Sequence, residues 1–218
     1  MTGEDYLAAE RRAILAEMVA QAPFDGWREL AFRRAVAAAG LDRSVGRRAF
    51  PGGALEVLDL YVHEADRRMA AALAELDLGE MRVRDRITTA IRIRLAQHEG
   101  EKEAVRRALA VLALPGNTRR ALTGLYGTVD AIWRAAGDRS TDFNFYSKRL
   151  ILAGVYSTTL LCWLDDSSPG AVVTWAFLDR RIDDVRRFEK TKARARKLRA
   201  RLPDPLHLVR EFRRPRRV

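Results

Sequence analysis

The chain is poor in the residues that build common enzyme and metal sites. Its 218 residues include one cysteine, Cys162, and three histidines, His63, His98 and His207. A single cysteine excludes an intramolecular disulfide and favours a reducing compartment. No histidine pair has the HExxH spacing of a zinc site, and the GxSxG, GxGxxG and P-loop patterns are missing. We therefore expect a protein that is not an enzyme and that holds no metal.

Long apolar runs are also missing. The longest ones fall far short of the roughly 20 residues that a membrane-spanning helix needs. The start of the chain carries early acidic residues and no apolar stretch of the kind found in signal peptides. We expect a protein that is soluble or bound at a membrane surface.

Glycine and proline are sparse, with 14 and 7 residues, and the composition favours helix throughout. Apolar spacing and the breaks around Pro51 and Pro115 predict an all-α chain without strands. Asp25 is predicted to cap the second helix, and His63 and Asp66 are predicted to lie on a solvated face. The nine expected helices are Glu4–Gln21, Trp27–Ala39, Arg43–Arg48, Ala54–Leu76, Val83–Glu99, Lys102–Leu112, 117–136, Asn144–Leu164 and Gly170–Arg199.

Residues 35–62 have the pattern of a helix-turn-helix. A small-residue helix ends at Gly40, a short helix ends near Phe50, and a long helix follows. The pattern resembles the N-terminal domain of TetR-type regulators, in which Arg43, Arg47 and Arg48 would enter the major groove. Residues 1–179 carry 24 charges of each sign, however, and a DNA-reading domain normally presents a positive face.

Positive charge is concentrated at the end of the chain. Residues 180–218 hold 16 Lys/Arg and 5 Asp/Glu, a net charge of +11 that equals the charge of the whole protein. Such a segment meets an anionic surface of lipid or nucleic acid, or it is a solvated arginine-rich helix. The residues after Asp204 predict a short interfacial helix on an anionic membrane, unless they fray or dock on the domain itself. Its expected membrane contacts are Leu206, Leu208, Val209, Phe212, Arg213 and Arg214.

Four motifs in the last third of the chain resemble a known family. They read DFNFYSKR at 142–149, LAGVY at 152–156, WLDDSSP at 163–169 and TWAFLDRRI at 174–182. Together with PFDGW at 23–27 and AFPGGA at 49–54, they resemble the ubiquinone-biosynthesis accessory family. This family is the ninth member of the mitochondrial coenzyme Q set, with homologues in alphaproteobacteria.

The resemblance implies a TetR-like helical bundle that binds lipid and dimerises. It implies a helix-turn-helix-like part at 1–53, a lipid-binding and dimerisation part at 54–202, and a basic amphipathic tail at 203–218. The implied function is that of a membrane-peripheral accessory protein without catalysis. Such a protein binds isoprenoid quinone intermediates and presents them to the quinone hydroxylase that acts on demethoxyubiquinone.

Specific residues are assigned to these roles. We expect an apolar tunnel lined by Tyr126, Leu150 and Val155 to hold an isoprenoid quinone or a phospholipid. The resemblance carries the hydroxylase surface over to Asp165, Ser168, Pro169 and Trp175. Trp163 and Trp175 flank a polar turn, where an exposed tryptophan is a typical interface anchor.

The expected location is the cytoplasm, at the inner face of a bacterial inner membrane. We expect a homodimer, no cofactor other than the bound lipid, and no DNA partner. The alternative function is a TetR-type DNA-binding transcriptional regulator with a hydrophobic effector.

Overall fold

The computed structural model describes residues 7–137 and 144–201, with side chains for residues 7–137 and 146–187. These ranges contain nine α-helices and no strand, so the predicted all-α class is confirmed. The predicted helix ends agree with the observed ones to within about four residues. The helices are α1 (Ala8–Asp25), α2 (Glu29–Ala38), α3 (Arg43–Ala49), α4 (Ala54–Ala74), α5 (Val83–Ala96), α6 (Lys102–Leu112), α7 (Thr118–Ala135), α8 (Asn144–Asp165) and α9 (Val172–Arg201).

The boundary between α1 and α2 differs from the prediction. Helix α1 continues through Pro23 to Asp25 and ends at Gly26, whose φ of 69° turns the chain. Asp25 is therefore the last residue of α1, and its carboxylate accepts a hydrogen bond from Arg34 at 2.6 Å. The prediction that Asp25 caps α2 is wrong: the residue before α2 is Arg28, which makes no capping bond.

The chain divides into two compact units, residues 1–178 and residues 179–218. In the first unit α1 packs against α2, α3, α4 and α6, while α4 packs against α5 and α7, and α7 packs against α8. The indole N–H of Trp27 donates to the carbonyl of Ala104 at 3.0 Å, and its ring lies 5.0 Å from that of Tyr61. The first three helices thus share a core with α4 and α6.

The turn between α2 and α3 brings these helices unusually close. Gly40 has a φ of 70°, and the N–H of Leu41 returns to the carbonyl of Val36 at 3.1 Å. A Cβ at Gly46 would lie 2.6 Å from a methyl carbon of Val36. Only glycine fits there without a shift, because non-bonded carbons pack at about 3.5–4.0 Å.

The turn between α8 and α9 is organised by one carboxylate. Asp166 Oδ1 accepts bonds from the N–H and hydroxyl of Ser168, at 2.8 and 2.6 Å, and Oδ2 accepts from the N–H and hydroxyl of Thr174, at 2.8 and 2.7 Å. These bonds hold the pKa of Asp166 well below its usual range. Lys102 and Arg106 of α6 donate to the carbonyls of Asp166 and Leu164, at 2.6 and 2.9 Å. The turn is therefore tied to α6.

The glycine contact predicts opposite effects for two alanine substitutions. Gly46→Ala should lower the free energy of unfolding by about 1–3 kcal/mol, because the new methyl group overpacks against Val36. Gly154→Ala, in α8 where a Cβ meets nothing within 4 Å, should raise it by about 0.5–1 kcal/mol. Urea unfolding measures both, and Val36→Ala should partly rescue Gly46→Ala. Equal effects at the two glycines would show that the close approach does not constrain the fold.

The α8–α9 turn predicts a pH-dependent loss of stability. Asp166→Ala should lower Tm, whereas Asp165→Ala should leave Tm nearly unchanged because that side chain is 84% exposed. Since the folded pKa of Asp166 is lowered from 3.8, its stabilisation is present above that value and is lost as pH falls. The Tm gap between wild type and Asp166→Ala should hold steady above about pH 5 and shrink below about pH 4. A gap that is unchanged at pH 3 would contradict the role of the ionised carboxylate.

Candidate functional site

A cavity of about 380 Å³ lies among helices α4 to α8. Most of its wall is apolar, and this part comes from α6, α7 and α8. Helix α6 contributes because its apolar residues recur every three to four positions, which places them on one face. The apolar lining includes Val105, Leu109, Leu112, Ala121, Leu125, Leu160 and Leu161.

The other end of the cavity is polar and is built on a buried ion pair. Arg94 of α5 donates through Nε to Asp66 Oδ1 of α4 at 2.7 Å, and both side chains are buried. Thr128 of α7 donates its hydroxyl to Asp66 Oδ2 at 2.9 Å. Burial raises the pKa of Asp66, and the guanidinium of Arg94 opposes that rise. Together with Thr128, the ion pair joins three helices, and its two opposite charges cancel.

His98 extends this network as a neutral ring. Arg94 Nη1 lies 2.7 Å from His98 Nε2, and arginine can only donate, so Nε2 is the acceptor. His98 Nδ1 then carries the proton and donates to Glu101 Oε2 at 2.9 Å, which also accepts from the Tyr61 hydroxyl at 2.8 Å. Burial, followed by the charge of Arg94, lowers the pKa of His98 to about 4. The ring is therefore neutral at physiological pH.

A wider groove of about 850 Å³ follows α4 and α7 beside the cavity. Val62, Leu112 and Gly124 line both the groove and the cavity. A Cβ at Gly124 would meet nothing within 4 Å, so the missing side chain leaves open space between the two.

The residues predicted to line a lipid tunnel lie elsewhere. Tyr126 and Leu150 are 49% and 76% exposed, whereas Val155 is buried at 7% exposure. None of them lines the cavity or the groove, but Leu125 and Tyr156, their chain neighbours, do line the cavity. Lipid contact at these three residues stays a prediction.

The predicted partner surface is gathered at the α8–α9 turn. Asp165 and Pro169 are exposed, and Ser168 is half-buried. The Trp175 ring is half-buried too; its N–H donates to the Gly170 carbonyl at 2.7 Å. All four predicted residues thus lie in or next to the α8–α9 turn.

The arginines predicted to read DNA lie on α3. Arg43 and Arg48 are exposed, while Arg47 forms an ion pair with Glu29. The predicted membrane residues 206–214 lie outside the described part of the chain.

The prediction that Asp66 lies on a solvated face is wrong, because its side chain is buried. No role was predicted for Arg94. Both residues stand in the apolar stripes of their helices: Asp66 lies four residues after Val62 and three before Met69, and Arg94 lies three after Ile91. Two opposite charges placed within apolar stripes were the signal that could have found the pair.

The described residues contain neither a candidate membrane span nor a candidate metal cluster. None of the described helices is long and apolar enough to cross a membrane. Within the same residues, no group of three or more His, Cys, Asp and Glu side chains could hold a metal ion.

Comparison with known proteins identifies relatives by sequence. A model of the family described as COQ9 matches residues 118–189. "Ubiquinone biosynthesis protein COQ9, mitochondrial" of Rattus norvegicus is 34% identical over 195 residues, which cover 84% of this chain and 61% of that protein. The Homo sapiens protein of the same name is 33% identical over 195 residues, covering 84% of this chain and 60% of its own length. The chain thus spans about three fifths of these relatives.

A solved structure shows the same fold. The TetR transcriptional regulator from Nitrosomonas europaea ATCC 19718 superposes with a TM-score of 0.65 at 22% identity, covering 80% of this chain and 97% of that one. At that identity the likeness establishes the fold alone. By sequence the chain is similar to COQ9 ubiquinone biosynthesis proteins over most of its length, and it has a TetR-like all-helical fold.

Proposed function

We propose that this protein binds an isoprenoid quinone intermediate and presents it to a quinone hydroxylase of the ubiquinone pathway. The observation that carries the proposal is a cavity with a long apolar wall and one polar end, in a relative of ubiquinone biosynthesis proteins. The protein acts as an accessory without catalytic chemistry, because the polar groups at that end are bonded mainly to one another.

The shape and lining of the cavity suit such a ligand. Small-molecule sites commonly enclose about 300–1,000 Å³ and are mostly apolar with a few polar groups that orient the ligand. Each methylene buried against the leucines of α6, α7 and α8 contributes about 0.8 kcal/mol. The polar end receives the oxygen-bearing ring, and the groove beside Gly124 accepts the rest of a long isoprenoid chain.

The α8–α9 turn is the proposed surface for the hydroxylase. Asp166 makes the turn rigid, and a rigid surface loses little entropy on binding. Val172 and Val173 expose apolar side chains beside the half-buried ring of Trp175. An aromatic ring with exposed aliphatic neighbours is typical of an interface anchor.

Attachment to the membrane is assigned to the basic tail. This tail, residues 203–218, belongs to the segment 180–218 that carries the whole net charge of +11, and each arginine near an anionic surface contributes about 1 kcal/mol. The tail would hold the protein at the cytoplasmic face of a bacterial inner membrane, where isoprenoid quinones are dissolved. Two copies of the chain form a homodimer in this proposal.

Ligand binding should depend on the space beside Gly124. Gly124→Leu places an isobutyl group where residues line both the groove and the cavity. We expect the affinity for a long-chain isoprenoid quinone to fall at least about tenfold, because the added side chain occupies space that the ligand needs. Quenching of tryptophan fluorescence during titration of the delipidated protein gives the affinity.

Gly154→Leu is the matched control for this test. It adds the same side chain to open space on α8, away from both the cavity and the groove, and should bind as wild type does. If both leucine variants bind normally, the ligand does not occupy this region. If purified wild-type protein neither carries nor binds any isoprenoid quinone, the proposed function is wrong.

The hydroxylase surface should be separable from ligand binding. Trp175→Ala removes the ring and its bond to Gly170, and Val172→Asp puts a charge on the neighbouring exposed position. Both variants should weaken co-purification with the quinone hydroxylase, because a hot-spot ring typically contributes at least about 2 kcal/mol to an interface. Quinone titration should be unchanged in both. Full co-purification of the Val172→Asp variant would place the partner surface elsewhere.

A further inference from the structure

Tyr156 is a buried residue in the lining of the cavity, and its hydroxyl makes no hydrogen bond to another described residue. The residue is only 6% exposed, and it lines the polar end of the cavity. Polar side-chain atoms inside proteins are hydrogen-bonded in the large majority of cases, and no described residue bonds to this hydroxyl. A hydroxyl at the wall of a cavity can be satisfied by whatever enters that cavity.

The neighbouring polar groups have already committed their bonds. Arg94 donates to Asp66, to His98 and to the Val62 carbonyl, and Thr128 donates to Asp66. Tyr61 is committed to Glu101 in the same way. Among the buried side chains with a hydroxyl group that line the cavity, Tyr156 is the one without a hydrogen bond to another described residue.

The charges at this end favour an uncharged ligand oxygen. Arg94 is the only cation that lines the cavity within the described residues, and Asp66 neutralises it at 2.7 Å. His98 is neutral, and burial raises the pKa of Tyr156, so that its hydroxyl stays protonated. A phosphate or carboxylate in this place would be a buried charge without a counter-ion, which is costly.

We propose that Tyr156 recognises the ligand's ring, its hydroxyl donating a hydrogen bond to a carbonyl or hydroxyl oxygen of a quinone or quinol. The ring enters the polar end first, and the hydrocarbon chain lies along Leu109, Leu125 and Leu160 towards Gly124. This assignment rests on the proposed function and specifies it further: the cavity selects a neutral oxygen-bearing ring over a phospholipid headgroup. Tyr156 thus determines which lipids are retained.

Three probes with the same chain test the assignment: a decyl-substituted benzoquinone, decylbenzene and decyl phosphate. Wild-type protein should bind the quinone more tightly than either of the others. Tyr156→Phe should weaken quinone binding about three- to tenfold, the usual effect of losing one hydrogen bond, and should leave decylbenzene binding unchanged. Because the hydroxyl has no protein partner among the described residues, the variant should unfold at the wild-type temperature.

The outcomes separate this assignment from the proposed function. If none of the probes binds the wild type, cavity binding and the proposed function both fail. Equal quinone affinity in the wild type and Tyr156→Phe overturns the role of Tyr156 while leaving the cavity as a lipid site, and preferential binding of decyl phosphate overturns the choice of a neutral ring.

A measurement on the wild type alone covers the case in which the variant does not fold. The carbonyl stretch of a ¹³C-labelled quinone should move to lower frequency in the bound state, because a hydrogen bond weakens the carbonyl bond. A bound quinone with the frequency that it has in hydrocarbon solvent contradicts the proposal.

Discussion

The buried ion pair between Arg94 and Asp66 is the interaction on which the part of the fold around the cavity depends. It joins α4 to α5, and through Thr128 it also holds α7. Breaking such a pair from one side leaves a buried charge and typically costs about 3–5 kcal/mol. An apolar replacement would hold the helices together equally well, so the pair is better explained by the polar end that it gives to an otherwise apolar cavity. The pair thus stabilises the packing of the helices and also places Arg94 in the wall of the cavity.

Helix α6 connects the two surfaces to which function is assigned. One side of it supplies Val105, Leu109 and Leu112 to the cavity, and another carries Lys102 and Arg106, which hold the α8–α9 turn. A ligand that shifts α6 would therefore be sensed at the proposed partner surface. This arrangement offers a short physical route by which a hydroxylase could distinguish the loaded protein from the empty one.

The N-terminal helices keep the architecture of a DNA-binding domain without its electrostatics. Gly40 and Gly46 preserve the tight α2–α3 turn, and residues 1–179 carry no net charge. Trp27 ties this region to Ala104, just before the cavity lining at Val105. The region thus packs against the helices that line the cavity, and its resemblance to a regulator concerns the fold.

Local sequence was enough to place the helices, because proline, glycine and apolar spacing act within a few residues of one another. Thr118 and Lys102 begin helices as expected, and charge segregation to residues 180–218 is a property of composition. The residues that line the cavity could not be predicted from the sequence. Successive helix residues point about 100° apart, and only the packing of the helices decides which of them faces inward. The cavity is lined by Leu125 and Tyr156, the chain neighbours of the predicted Tyr126 and Val155. The Asp66–Arg94 pair likewise exists only because α4 and α5 pack together, since 28 residues separate its members along the chain.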